Sequence, residues 1–147
     1  MRPTALLIDD DAGLLAQLSA AFHAAGFRTF SAGSGRIGAK LAAAAAPDVV
    51  VTDILMPDQE GIATIIQLKA LPRPPQIVAI SGGGQLASEV VLNWASHLGA
   101  DVVLPKPFPA ERLVAVARRL LEGPAANAGA AEPVEPHQTV EQELCAC

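Results

Sequence analysis

The sequence predicts an α/β domain in which a parallel sheet is covered by helices on both faces. Five short apolar runs, rich in β-branched residues, alternate with longer stretches that carry apolar residues at helical spacing. Strands that are apolar throughout indicate burial on both faces of the sheet. Right-handed crossovers between five such units leave few topologies, and they favour a five-stranded, doubly wound, flavodoxin-like (βα)5 fold.

Boundary residues mark the individual elements. Asp11 is a natural N-cap for the first helix, and Gly26 occupies the position after its C-cap. In the Ala-rich second helix we expect Ile37 and Leu41 to form the apolar face. The predicted strands are residues 4–8, 27–30, 48–53, 76–80 and 102–104, and the predicted helices lie between Asp11 and Gly26 and at about 34–45, 62–69, 86–98 and 110–121.

The third strand ends on a carboxylate. Its run Val49–Asp53 is β-branched until the last residue, and Pro57 prevents the strand from continuing much further. Asp53 is therefore predicted at the point where a buried strand meets solvent. An Asp at a strand end is by itself more often a turn or cap residue, so its interpretation depends on the other strand ends.

Polar side chains end three further strands, namely Asp9 and Asp10 after the first, Ser81 after the fourth and Lys106 after the fifth. The carboxyl ends of parallel strands meet at one edge of the sheet, where ligands bind in such folds. Three carboxylates brought together there would repel one another, and Mg²⁺ is the hard cation that would neutralise them. One carboxylate could then attack phosphorus, while the lysine and the hydroxyl bind phosphoryl oxygens. The pattern predicts a phosphoryl-transfer site.

Four sequence pieces carry a family resemblance. They are Leu7-Ile8-Asp9-Asp10, Asp53-Ile54-Leu55-Met56-Pro57 with Gly61 eight residues past Asp53, Ser81-Gly82, and Gly99-Ala100-Asp101 leading to Pro105-Lys106-Pro107-Phe108. In this order, over about residues 4–122, they resemble the receiver domains of two-component response regulators.

The resemblance implies that Asp53 accepts a phosphoryl group from a sensor histidine kinase or a histidine phosphotransfer protein. It also implies that Asp10, Asp53 and the carbonyl of Leu55 hold Mg²⁺, that Asp9 acts mainly through a water, and that Ser81 and Lys106 contact the phosphoryl oxygens. Apart from catalysing its own phosphorylation and dephosphorylation, the chain is not expected to be an enzyme.

One position departs from the family pattern. Receiver domains usually carry Tyr or Phe three residues before the lysine, and here that residue is Val103. A valine has one dominant rotamer and no polar tip, so the usual aromatic switch is absent. We expect the signal to pass through the Ser81–Gly84 loop and the helix after it, although this triple-glycine loop could equally be a flexible turn and nothing more.

Charge and composition divide the chain into a receiver domain at 1–123 and a disordered acidic tail at 124–147. The tail holds four of the 15 acids and no Lys or Arg, which leaves 11 acids against 10 bases in the domain. No basic stripe favours nucleic-acid binding, no apolar run suits a membrane span, and a disulfide framework is excluded because both cysteines, Cys145 and Cys147, lie in the last three residues. We expect a cytoplasmic, stand-alone domain that signals through an unknown protein target.

Two other functions are compatible with parts of the sequence. Leu7-Ile8-Asp9-Asp10-Asp11 also contains the Asp-x-Asp pattern of haloacid-dehalogenase-type phosphatases, in which Asp9 would be phosphorylated. About 120 ordered residues leave no room for a substrate-selecting cap, which argues against this alternative. A pseudo-receiver that acts only as a binding scaffold is the other alternative, and the intact acids, Ser81 and Lys106 argue against it.

Overall fold

The β-branched runs form the strands of one parallel sheet, as predicted. In the computed structural model, which describes residues 2–54, 61–81, 93, 97 and 99–123, the sheet has five strands in the order β2-β1-β3-β4-β5. The strands are β1 (Thr4–Ile8), β2 (Arg28–Ala32), β3 (Val49–Asp53), β4 (Gln76–Ser81) and β5 (Val102–Pro105), and the helices are α1 (Ala12–Ala24), α2 (Gly35–Ala45), α3 (Gly61–Lys69) and α4 (Ala110–Glu122). The predicted flavodoxin-like, doubly wound fold is confirmed.

The predicted helix at 86–98 falls mostly outside the described residues. Within it, residues 93 and 97 are helical. The tail at 124–147 also lies outside the described residues. In the part of the chain that the structure describes, no helix has both the length and the apolar character needed to cross a membrane.

Two apolar layers enclose the sheet, because alternate residues of each strand point to opposite faces. β3 is buried along its whole length, which explains why its three valines follow one another without a polar residue between them. One layer joins strand residues Leu7, Val51, Val78 and Ile80 to Leu18 and Phe22 of α1 and to Leu113 and Ala117 of α4. The other joins Leu6, Ile8, Val50 and Ile77 to Ala42 of α2 and to Ile65 and Leu68 of α3.

Helix α1 has the boundaries that its sequence predicts. The carboxylate of Asp11 accepts a hydrogen bond from the Leu14 amide at 3.1 Å and so caps the amino end. At the other end, Gly26 has a φ of 96°, a left-handed conformation that glycine adopts without strain. Both predicted boundary roles are confirmed.

The predicted apolar face of α2 is wrong at Ile37, which is 52% exposed. Helix α2 instead buries Gly35, Gly38 and Ala42. A Cβ added to Gly38 would lie 2.4 Å from Cδ1 of Ile8, so glycine lets the helix approach β1 too closely for a larger residue. This approach fixes the rotation of α2 and turns Ile37 toward solvent.

Candidate functional site

The sheet brings the predicted site residues to one edge. Asp9 follows β1, Asp53 and Ser81 are the last residues of β3 and β4, and Lys106 follows β5. The strand register aligns these ends, because Asp53 pairs with Ile80 and Ser81 pairs with Pro105. The side chain of Ser81 and the whole of Leu55 lie outside the described part of the structure.

Three carboxylates meet at this edge. Each of Asp9, Asp10 and Asp53 offers an oxygen, and these oxygens lie within 4.8 Å of one another. Asp9 is only 1% exposed and Asp53 only 5%, whereas Asp10 faces solvent. Carboxylate oxygens are the ligands that a hard divalent cation such as Mg²⁺ prefers, so this donor set fits the predicted metal.

Lys106 is the cation of the site. Its Nζ lies 3.1 Å from Oδ2 of Asp9 and 3.1 Å from Oδ2 of Asp53. Partial burial lowers the pKa of Lys106, but the hydrogen bonds and charges of Asp9 and Asp53 outweigh that effect, so this pKa is raised above its ordinary value. Three carboxylates minus one ammonium leave a formal charge of −2, which favours the binding of another cation.

Main-chain groups hold the acids in place. Oδ1 of Asp9 accepts a hydrogen bond from the Asp11 amide at 2.9 Å, and the Asp9 amide donates to the Ala32 carbonyl at 3.1 Å. Asp11 itself caps α1, which confirms its predicted structural role. The first acidic residue is therefore anchored both to the edge strand and to the start of α1.

A groove that includes Lys106 lies on the face of the sheet that carries α1. Its walls come from the first turns of α1 and from the segment that joins β5 to α4. The lining residues are Asp11, Gly13, Leu14, Gln17, Lys106, Pro107 and Phe108. Lys106, which pairs with Asp9 and Asp53, therefore forms part of the groove wall.

Comparison with known proteins identifies the domain. A family model described as the response regulator receiver domain matches residues 5–118. The chain belongs to this family. The receiver domain is 31% identical over 126 residues to the transcriptional regulatory protein PrrA of Mycobacterium leprae, covering 86% of this chain and 53% of that protein. It is 30% identical over 117 residues to the regulatory protein AtoC of Escherichia coli, covering 80% of this chain and 25% of AtoC.

These alignments show that the chain spans about half of the length of PrrA and a quarter of AtoC. Solved structures agree on the fold of the receiver domain. A CheY-like receiver domain protein from Methanospirillum hungatei matches with a TM-score of 0.75 at 20% identity, covering 83% of this chain and 95% of that chain. The chemotaxis response regulator CheY4 of Vibrio cholerae matches with a TM-score of 0.72 at 23% identity, covering 82% and 100%.

Val103 occupies the position of the family's usual aromatic residue. It is half-buried and packs against the apolar layer that contains α2 and α3. A small, branched side chain fixed in this layer has no polar group to present to the site. The predicted route through the loop after Ser81 lies outside the described residues.

Proposed function

We propose that the receiver domain accepts a phosphoryl group on Asp53 from a phosphohistidine in a sensor histidine kinase or a histidine phosphotransfer protein, in a Mg²⁺-dependent reaction. The observation that supports this proposal is the meeting of three carboxylates within 4.8 Å at one sheet edge, with a lysine 3.1 Å from Asp53. Asp53 is the last residue of the fully buried strand β3, which holds it in this cluster.

The transfer exchanges one bond to phosphorus for another. A carboxylate oxygen of Asp53 forms a bond to phosphorus as the bond between phosphorus and the donor's imidazole nitrogen breaks, and that nitrogen keeps the electron pair. Lys106 already donates to Oδ2 of Asp53 at 3.1 Å. Its ammonium would turn to a phosphoryl oxygen and stabilise the charge that develops there. The hydroxyl of Ser81 would donate to a second phosphoryl oxygen.

Asp10, Asp53 and the Leu55 carbonyl would hold the metal, with Asp9 acting mainly through a water. When bound, Mg²⁺ supplies positive charge for the phosphoryl oxygens. The chain's own side chains also order the site. Asp9 forms a 3.1 Å ion pair with Lys106 and so keeps the lysine beside Asp53. Asp9 and Asp53 are both buried, which shields their ion pairs with Lys106 from bulk solvent.

The groove beside α1 is where we expect the phosphodonor to bind. It is lined in part by Lys106, whose Nζ lies 3.1 Å from the carboxylate of Asp53, so a donor seated there would bring its phosphoryl group close to Asp53. The apolar side chains of Leu14 and Phe108 in the groove suit the non-polar part of a partner surface.

Phosphorylation would then act as a signal. A phosphoryl group adds negative charge to Asp53 and biases the surface around it between two states. We propose that the domain passes this signal by protein contact in the cytoplasm and catalyses no reaction other than its own phosphorylation and dephosphorylation.

Incubation with Mg²⁺ and acetyl phosphate, followed by intact mass measurement, tests the proposal. We expect one added phosphoryl group on the wild-type protein and none on Asp53→Asn. Asp48→Asn is a matched control, since Asp48 lies at the opposite edge of the sheet, before β3, and it should be phosphorylated like the wild type. Equal phosphorylation of Asp53→Asn would contradict the proposal.

The phosphatase alternative is not favoured, because the chain belongs to the receiver family. The structure also gives Asp9 little freedom to act as a nucleophile, since one of its carboxylate oxygens accepts from the Asp11 amide and the other from Lys106. A pseudo-receiver scaffold would be indicated instead if the wild-type protein took up no phosphoryl group.

A further inference from the structure

Thr52 is a buried polar residue that the proposed transfer does not use. It precedes Asp53 in β3 and is 0% exposed. In the sheet it pairs with Ile8 on one side and Ala79 on the other. A buried hydroxyl costs free energy unless it forms a hydrogen bond, and a valine would fill the same space without that cost.

The Thr52 hydroxyl forms its hydrogen bond next to the phosphoacceptor. Oγ1 of Thr52 donates to the main-chain carbonyl oxygen of Asp53 at 3.0 Å. This carbonyl belongs to the peptide group between Asp53 and Ile54. Because neighbouring residues of a strand point to opposite faces, the Thr52 side chain cannot reach the carboxylate of Asp53 and acts on its backbone instead.

Three other contacts hold the same stretch of backbone. The Ile54 amide donates to the Ile80 carbonyl at 2.9 Å, and the Ile54 carbonyl accepts from the Gly61 amide at 2.7 Å. A Cβ added to Gly61 would lie 2.2 Å from the Asp53 carbonyl oxygen, so the start of α3 lies directly against this peptide. The Thr52 hydroxyl adds a side-chain hydrogen bond to this set of contacts.

We propose that Thr52 is a positioning residue for phosphoryl transfer, and that its hydroxyl fixes the Asp53–Ile54 peptide so that the Asp53 carboxylate stays within reach of Lys106. This role rests on the proposed function of Asp53. A rotation of the peptide would tilt the bond from Cα to Cβ of Asp53 and move the carboxylate away from its 3.1 Å contact with Lys106. Small misplacements of this kind lower the rate of reaction steeply.

Thr29 provides a matched control for this role. It is also a strand threonine whose hydroxyl donates to a main-chain carbonyl, here that of Phe27 at 3.3 Å. Thr29 is the second residue of β2, the outermost strand of the sheet. It therefore lies near the amino end of that strand and not at the carboxyl edge that carries Asp53. Removing this hydroxyl therefore tests the general effect of replacing a strand threonine by valine.

The experiment measures acetyl phosphate-driven phosphorylation of the wild type, Thr52→Val, Thr52→Ser and Thr29→Val over a range of donor concentrations. Thr52→Val should lower the maximal rate constant about tenfold and leave the half-saturating donor concentration unchanged, since it displaces the acceptor and not the donor. Thr52→Ser keeps the hydroxyl and should restore the rate to within about twofold of wild type. Thr29→Val should react like the wild type.

Amide hydrogen exchange supplies a readout that does not depend on phosphorylation. In Thr52→Val, but not in Thr52→Ser, the amides of Ile54 and Gly61 should exchange faster. The role is overturned if Thr52→Val reacts at the wild-type rate, if Thr52→Ser is as slow as Thr52→Val, or if Thr29→Val loses as much. A wild-type protein that takes up no phosphoryl group would instead overturn the proposed function, and this role with it.

Discussion

Aspartates lie at both the amino and the carboxyl ends of the parallel strands, but their contacts differ between these two edges of the sheet. At the amino edge, Asp48 precedes β3 and Asp101 precedes β5. Their Oδ2 atoms accept from the amides of Thr4 at 2.8 Å and of Ile77 at 2.7 Å. Each aspartate also donates its own amide to the carbonyl of that same residue, at 2.9 and 2.8 Å. The two acids therefore extend the strand pairing by one residue.

Each acid of the amino edge also has its own cation among the described residues. Arg73 lies 3.7 Å from Asp48, and Lys69 lies 3.4 Å from Asp101. At the carboxyl edge, Asp9 and Asp53 share Lys106 as their cation within the part of the chain that the structure describes, and Asp10 lies in the same cluster. Acids that serve the fold are thus matched one to one with cations, whereas a surplus of negative charge marks the edge that binds Mg²⁺ and a phosphoryl group under our proposal.

The largest expected difference between the edges concerns the two lysines. Lys106→Met should slow phosphorylation by acetyl phosphate about a hundredfold or more, because it removes the ammonium that stabilises the transferring group. Lys69→Met should leave the rate unchanged, since Lys69 pairs with Asp101 at the other edge. Time courses of intact mass measure both rates. Equal losses in the two variants would show that the lysine acts through the fold alone.

Metal binding should also distinguish the edges. At a hundredfold excess over its Kd, Mg²⁺ should raise the free energy of unfolding of the wild type by about 2.7 kcal/mol. The increase should disappear in Asp10→Ala and persist in Asp101→Ala, which retains the three acids of the site. Urea unfolding with and without Mg²⁺ measures it. A Mg²⁺ effect that survived in Asp10→Ala would place the metal elsewhere.

Without metal, Asp101→Ala should destabilise the protein more than Asp10→Ala does. Asp101→Ala leaves the Ile77 amide without its 2.7 Å acceptor and should lower the free energy of unfolding by about 1–3 kcal/mol. Asp10→Ala should leave it unchanged or raise it slightly, because the variant removes repulsion from the cluster. Urea unfolding in the presence of a chelator compares the two. Greater destabilisation by Asp10→Ala would contradict the assignment of surplus charge to the carboxyl edge.

The smallest expected effect is a change in the free energy of unfolding at alkaline pH. The pKa of Lys106 is raised in the folded state, so its protonated form stabilises the fold. The contribution is fully present below the unfolded pKa of about 10.4 and is lost as pH rises through the higher folded value. The difference in unfolding free energy between wild type and Lys106→Met should therefore change in that range. A change confined to neutral pH would have another cause.

The sequence predicts most of the fold because the fold depends on local patterns. β-branched apolar runs specify buried strands, and Asp11 and Gly26 specify the ends of α1. The rotation of α2 was not predictable in this way. It depends on the contact between Gly38 and Ile8, residues that lie on different elements and show no pattern when the helix is considered alone.

The same distinction applies to the site. The parallel topology was enough to predict that Asp9, Asp53 and Lys106 would meet, since strand ends of such a sheet share one edge. It did not show that Lys106 would bridge both acids, nor that Asp101, part of a family motif, would bond to the backbone of β4. These contacts depend on strand register and side-chain rotamers. The sequence feature that could have pointed to Thr52 is a hydroxyl directly after three valines in a buried strand.

The central claim is that the edge with surplus negative charge makes Asp53 the phosphoacceptor. The most direct test is to phosphorylate the wild-type protein with acetyl phosphate and Mg²⁺, reduce the acyl phosphate with borohydride, and locate the resulting homoserine by peptide mass spectrometry. We expect homoserine at position 53 and nowhere else. Homoserine at position 9 or 10, with Asp53 recovered unchanged, would contradict the account.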